Sequence, residues 1–313
     1  MKAIITTKYG APEVLKIKEV EKPLPKEHEI LIKIYATAVT ASDLYIRGSL
    51  ILPLKYRILM RLFLGITKPR KAINGLVLAG KIEAIGKEIK KFKVGDKVYG
   101  LTGFGLGAYA EYKCMKEVDS TYGCISIMPV NISYEDATMI SYGGLLAFQY
   151  MEKGNIKKGD KILIYGASST TGIIAIQYAK YLGAEVTAVC SSANIDLAKT
   201  YGADYVLDYT KENSVKNDIQ FDFMLDAVGK NKTSNLKVSC RKALKKGGIY
   251  SSIDDGDLKL DSKRLSLIKE LTEAGHIKAF IDKCYSFENI VQAHTYVESG
   301  HKKGGVAIKI NNN

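Results

Sequence analysis

From residue 133 onward the chain alternates short apolar runs with longer stretches of helical spacing, and this alternation limits the possible folds more than any other feature. The runs "KILIYG" (161–166), "EVTAVC" (185–190), "DYVLDY" (204–209), "FDFMLDAVG" (221–229) and "GGIYSSI" (247–253) read as strands. Helices are expected at 172–182, 194–201 and about 233–245. Parallel strands need crossover connections, so five such strands imply an α/β fold with a doubly wound parallel sheet. Upstream, "SYEDATMIS" and "GGLLAFQYMEKG" also have helical spacing, and Ser133 with Asp136 matches a capping box.

The first strand runs straight into "YGASSTTG" (165–172) and then into a helix. In this setting a loop can seat the phosphates of a dinucleotide, which calls for glycines at a tight turn, at the approach to the pyrophosphate and at the helix–strand contact. Gly166 opens the loop and Gly172 suits the packing role, while Ser169 stands where the approach glycine is expected. The hydroxyls of Ser169, Thr170 and Thr171, with the N–H groups of the helix start, remain able to hold an anion. The second strand ends in "CSSAN" (190–194), with no carboxylate to repel a 2′-phosphate and with Ser191, Ser192 and Asn194 to bind one. That pattern points to NADPH, although no Arg or Lys adjoins it.

Residues 1–115 follow a different pattern, with short β-type pieces ("KAIITT", "LKIKEV", "EILIKIYATAV", "LVLAGKIEAI", "DKVYGL", "AYAEYK") separated by turns, as in a compact β-domain. The tail ("HIKAFIDKCYSF", "ENIVQAHTYVESG", "GGVAIKI") returns to strands and one helix, and is expected to rejoin that domain. The expected division is 1–118 with 277–313 as one domain and 119–276 as the nucleotide domain. The segment "ILPLKYRILMRLFLGI" (51–66) reads as an amphipathic helix that covers a cleft or meets a membrane surface.

Five scattered cysteines, the lack of a signal-peptide pattern and the lack of a long apolar run point to a cytoplasmic protein with reduced thiols and no stable membrane insertion. The formal charge of +13 raises nucleic acid as a partner, but the lysines are spread along the chain without a recognition motif, as on a solvated surface.

Several stretches together resemble the medium-chain dehydrogenase/reductase superfamily, in its zinc-independent quinone-oxidoreductase-like branch. They are "ATAVTASDLYIRG" (36–48), "LAGKIEAIGKEIKKFKVGDKVYG" (78–100), "GAYAEY" (107–112), "KKGDKILIYGASSTTG" (157–172), "YGADYVLDY", "DAVG" and "GHKKGGVAI". The resemblance implies a GroES-like β-domain, a Rossmann nucleotide domain and a substrate cleft between them. Zinc-dependent relatives carry a cysteine where this chain has Thr40, and a Gly-His-Glu after it that "NGLVLAG" lacks; the four histidines match no ligand spacing, so no metal is expected.

Without a metal, hydrogen bonds must stabilise developing oxyanion charge. "DLYIR" supplies Tyr45 as the candidate donor to a carbonyl, with Thr40 and Ser42 as hydroxyl alternatives and Asp43 as a structural acceptor. The resemblance implies that Tyr209 lies beside the 2′-phosphate and that Val228, Gly229 and Ile253 flank the nicotinamide half. The implied reaction is hydride transfer from NADPH to a quinone or an α,β-unsaturated carbonyl. The alternatives are a zinc-free alcohol/aldehyde oxidoreductase and a non-enzymatic NADPH-binding relative.

Two further departures have consequences. Leu146 stands where relatives commonly have a threonine that contacts the nicotinamide portion. The short stretch between "GGIYSSID" and the helical "SKRLSLIKELTEAG" (262–275) leaves no room for a sixth strand, so a truncated sheet edge and a monomer or weakened dimer are expected.

Overall fold

The structure is a computed structural model that describes residues 1–48, 61, 62, 64–216 and 218–310. Most of the 51–66 segment lies outside the described residues. The chain divides into two compact units, one of Met1–Ser141, Leu260–Lys269 and Ile281–Asn313, the other of Tyr142–Lys259 and Glu270–Phe280.

The first unit is built on strands. β1 (Lys2–Thr6) and β2 (Leu15–Glu19) form an antiparallel pair. β3 (Glu29–Val39) leads into a short helix, α1 (Ala41–Arg47), and is followed by β4 (Val77–Ile85), β5 (Lys97–Leu101), β6 (Tyr112–Lys116) and β7 (Cys124–Ile127). β3 organises the sheet because alternate residues Ile30, Ile32 and Ile34 enter one core with Leu78, Ile82, Val98 and Met115, the period of two that a strand requires.

The long helix α2 (Tyr134–Met151) begins in the first unit and ends in the second, where it leads to β8 (Lys161–Tyr165), α3 (Thr170–Tyr181), β9 (Glu185–Cys190), α4 (Ile195–Thr200), β10 (Tyr205–Asp208), β11 (Phe221–Asp226), α5 (Asn235–Lys242) and β12 (Leu244–Ser252). All pairings are parallel, in the order β10-β9-β8-β11-β12. Leu163, Val189, Phe221, Met224, Leu236 and Cys240 form its core. α6 (Ser262–Glu273) follows β12 without an intervening strand, so the described sheet stops at five strands.

The tail forms β13 (Ile281–Ser286), α7 (Ile290–Glu298) and β14 (Gly305–Lys309), and β14 pairs with β3 in a seven-stranded sheet of order β13-β14-β3-β4-β5-β7, with β6 as the seventh strand, also on β3. The boundary expected at residue 118 falls at 141 instead, because β7 pairs with β5 and extends the first sheet. The start of α6 also belongs to this unit: Ser262 donates through N–H and Oγ to Asp119 Oδ2 at 2.8 Å each, and Tyr99 Oη donates to Leu265 O at 2.6 Å. The two helical stretches expected near 133–154 are one continuous helix, begun by the Ser133–Asp136 capping box in which Ser133 Oγ accepts from Asp136 N–H at 3.0 Å.

Candidate functional site

In the second unit the chain leaves β8 outward through β9 and β10, then returns to the other side of β8 as β11 and β12. Connections therefore diverge between β8 and β11, and the loops at their carboxyl ends open a crevice of the kind that seats a nucleotide. Gly166 turns the chain out of β8 at φ +82°, and a Cβ there would lie 2.4 Å from Val228 Cγ1. Gly172 brings α3 down onto the loop, since a Cβ there would lie 2.3 Å from Gly166 O. Gly166 thus makes the tight turn and Gly172 the close helix contact. Ser169 is the N-cap of α3, its Oγ accepting from Gly172 N–H at 3.0 Å. Thr170 begins the helix and Thr171 is buried within its first turn.

At the ends of β9 and β10, Asn194 Nδ2 donates to Ser168 Oγ at 3.1 Å and to Ser191 Oγ at 3.2 Å, tying "CSSAN" to the phosphate loop. Its Oδ1 is buried and has no partner among the described residues. Ser192 donates its hydroxyl to Asp208, and Thr210 donates to Asp208 Oδ1 through Oγ1 at 2.6 Å and N–H at 2.9 Å. These hydroxyls hold Asp208 ionised, with its pKa lowered to about 2, and Lys211 adds its field. The premise that no carboxylate stands near this position is therefore corrected: Asp208 aligns with Cys190 across the β9–β10 pair, which sets it beside the serines. Tyr209, half exposed, follows it.

On the other flank, Asp226 at the end of β11 is fully buried and accepts from the N–H groups of Val228 and Gly229 at 3.2 Å each. Tyr250 Oη donates to its other oxygen at 2.7 Å, and Ile253 N–H donates to Asp226 O at 3.1 Å. Leu146 is buried. The glycine-floored turn, the helix start behind it and the unpartnered Asn194 acceptor fit a dinucleotide laid across the carboxyl edge of the sheet.

The remaining candidates lie on α1 of the first unit. Thr40 is its N-cap and makes a full capping box, with Oγ1 accepting from Asp43 N–H at 3.4 Å and Thr40 N–H donating to Asp43 Oδ2 at 2.8 Å, while Oγ1 also donates to Oδ2 at 2.6 Å. The Thr40 hydroxyl proton is thereby committed to Asp43. Burial raises the Asp43 pKa to about 6 against those hydrogen bonds. One turn on, Arg47 is fully buried and donates to Gly10 O at 3.1 Å, to Glu298 Oε2 at 2.7 Å and to His294 Nδ1 at 3.1 Å. A guanidinium can only donate, so His294 carries its proton on Nε2 and gives it to Tyr109 Oη, 3.1 Å away. Burial and the adjacent Arg47 lower the His294 pKa to about 3, so the ring stays neutral. Ser42 is partly buried and Tyr45 is 37% exposed. Among the described residues no group of three His, Cys, Asp or Glu side chains is placed to hold a metal ion.

Asp43 matches its expected structural role, whereas nothing local in the sequence gives the partners of Asp208, Asp226 or Arg47. The register of β10 on β9 is the one clue that can find Asp208.

Residues 26–124 match the family described as "Alcohol dehydrogenase GroES-like domain", and residues 170–279 match "Zinc-binding dehydrogenase". A 2-methylene-furan-3-one reductase of Solanum lycopersicum is 29% identical, over 98% of this chain and 79% of the relative. A chloroplastic NADPH-dependent alkenal/one oxidoreductase of Arabidopsis thaliana is 26% identical over the same shares. Among solved structures, the quinone oxidoreductase of Coxiella burnetii superposes with a TM-score of 0.84 at 23% identity, covering 99% of both chains, which shows a shared fold. With Thr40 where the zinc-dependent relatives have a cysteine, the chain belongs to the medium-chain dehydrogenase/reductase superfamily, in its zinc-independent, quinone-oxidoreductase-like branch.

Proposed function

We propose that this protein is an NADPH-dependent, zinc-independent oxidoreductase that delivers hydride to a quinone or to the β-carbon of an α,β-unsaturated carbonyl. The observation that carries the reading is the switch-point loop of the second unit, where Gly166 and Gly172 leave room only for backbone and α3 starts directly behind them. Support for the substrate class comes from relatives named for reduction of an alkenal/one and a 2-methylene-furan-3-one. When bound, a reduced nicotinamide supplies the hydride, and the chain's own residues bind, orient and polarise.

In this reading Ser169, Thr170, Thr171 and Gly172 hold the pyrophosphate, Ser191, Ser192, Asn194 and Tyr209 hold the adenosine ribose, and Val228, Gly229 and Ile253 border the nicotinamide. Tyr45 donates its phenol to the substrate oxygen, with Ser42 as a second hydroxyl. Thr40 acts through Asp43, fixing the start of the helix that carries Tyr45.

Lys211 and Tyr209 support NADPH over NADH as neighbours of a 2′-phosphate. A second reading, NADH, is favoured by a specific observation: Asp208 and the Asn194 Oδ1 present acceptors, which suit a ribose hydroxyl rather than a phosphate. Titrating both reduced cofactors, followed by their emission, separates the two. Turnover of enals, enones and quinones against oxidation of alcohols separates reductase from alcohol dehydrogenase chemistry. A chain that binds neither cofactor at sub-millimolar concentration is a non-enzymatic relative.

We further propose a cytoplasmic monomer or weak dimer, since the described sheet ends at β12. A tight dimer in sedimentation, built through that edge, would sink this part. No described helix is long and apolar enough to cross a membrane.

A further inference from the structure

The second unit buries an ion pair that the proposed chemistry does not use. Asp226 is fully buried and Lys237, on α5, is 4% exposed, with Nζ to Oδ2 at 2.5 Å. The same ammonium donates to Gly229 O at 2.7 Å and to Lys232 O at 2.8 Å, so its three protons are all placed. It also lies 5.4 Å from the centre of the Tyr165 ring, at the end of β8.

A buried pair of this kind generally contributes no more stability than an apolar pair of similar volume, because desolvation offsets the attraction. Its partners show what it does here. Asp226 holds the turn after β11 by the N–H groups of Val228 and Gly229, and Lys237 holds the same turn by its carbonyls. From a third side Asp254 Oδ2 accepts from Lys230 N–H at 2.7 Å, and that carboxylate fills the space a Cβ on Gly229 would need. The turn is also keyed to the phosphate loop, since Val228 Cγ1 packs where Gly166 has no side chain.

We propose that Lys237 is a positioning residue: by clamping the Gly229 and Lys232 carbonyls it fixes the turn at Val228 and Gly229 against which the nicotinamide half of the cofactor rests. The inference rests on the dinucleotide reading above. With all three protons engaged inside the protein, Lys237 acts through the turn and not by touching the cofactor. The adenosine half lies across β8, at Asn194 and Asp208, and does not depend on this clamp.

The test compares whole and half ligands. Wild type, Lys237→Met and the paired change Asp226→Asn with Lys237→Met are titrated calorimetrically with NADPH, with NADH and with the adenosine fragments 2′,5′-ADP and 5′-AMP. Lys237→Met is expected to weaken whichever whole dinucleotide the wild type binds by about tenfold, with the fragment affinity changed by less than about twofold. The paired change, which leaves no buried charge unmatched, keeps the fold if the single change does not and shows the same split. Equal loss for dinucleotide and fragment marks a purely structural role and overturns the proposal, as does no loss for either. A wild type that binds fragments but no dinucleotide overturns it too. If the wild type binds none of the four, the dinucleotide reading itself fails and takes the proposal with it.

Discussion

The start of α1 and the end of β10 use the same chemical device, an aspartate that accepts a hydrogen bond from a nearby hydroxyl, with opposite results. At α1 the donor is Thr40, and burial outweighs its hydrogen bonds, so the Asp43 pKa rises to about 6. At β10 the donors are Ser192 and Thr210, their hydrogen bonds outweigh desolvation, and Asp208 falls to about 2. Hydrogen bonds to a carboxylate favour its charge and burial disfavours it, and the balance falls differently at the two sites although both aspartates are buried. The first region is a scaffold of buried groups answering one another, and the second holds an ionised carboxylate among hydroxyls at the carboxyl ends of β9 and β10.

The largest effect that would break this contrast is expected from the scaffold. Arg47→Met removes the donor shared by Gly10, His294 and Glu298. It should cost about 3 kcal/mol in chemical denaturation, near the lower end for a broken buried pair because Glu298 stays partly solvated. Nucleotide affinity should be unchanged, and a parallel loss of affinity would show that the two regions are not separate in function.

Asp208→Asn is expected to do the reverse, with little change in stability and a shift of about fivefold in preference toward NADPH, because one like charge is removed from beside the 2′-phosphate. A ratio of NADPH to NADH affinity that does not move would show that Asp208 serves only to order Ser192 and Thr210.

Acidification sharpens the comparison within the scaffold itself. The native His294 pKa of about 3 lies below its ordinary 6.5, so the unfolded chain binds more protons between those values and stability falls as pH drops through that window. Asp43 works in the opposite sense: its native pKa of about 6 lies above 3.8, so its contribution is largest below 3.8 and is lost as pH rises toward 6 and beyond. His294→Gln should therefore reduce or invert the loss of melting temperature between pH 6.5 and pH 4. An unchanged profile would mean that the acid response arises elsewhere.

Much of the fold is legible in the sequence because strand and helix periods are local. The alternation of "KILIYG", "EVTAVC" and their followers specifies the parallel sheet, and Gly166 and Gly172 can be assigned because turn and packing demands sit within one loop. β7 is harder, being four residues, "CISI", with nothing to separate a strand from a loop until β5 pairs with it. The charged groups are harder still. Arg47 meets His294 and Glu298 across 247 and 251 residues, and Ser192 meets Asp208 across 16, so their partners exist only once the sheets are assembled. For the same reason "CSSAN" looks free of carboxylates when read along the chain and is not free of them across the strands.

The smallest effect concerns the loop residue that departs most from a glycine pattern. Ser169 accepts from Gly172 N–H, which leaves its own proton available for an anion at the helix start. Ser169→Ala removes both functions and should cost about 1 kcal/mol of stability along with a several-fold loss of cofactor affinity. Ser169→Gly should cost only a few tenths of a kcal/mol, since glycine is a tolerated N-cap and the backbone here, φ −77° and ψ 165°, is open to any residue. Both changes free the same Gly172 N–H and remove the same hydroxyl, so the Gly variant should show the several-fold loss of affinity expected for Ala. Wild-type affinity in both variants would show that the hydroxyl caps α3 and does nothing for the pyrophosphate. A loss shared by both would make Ser169 part of the anion seat, the role its place in "YGASSTTG" suggests.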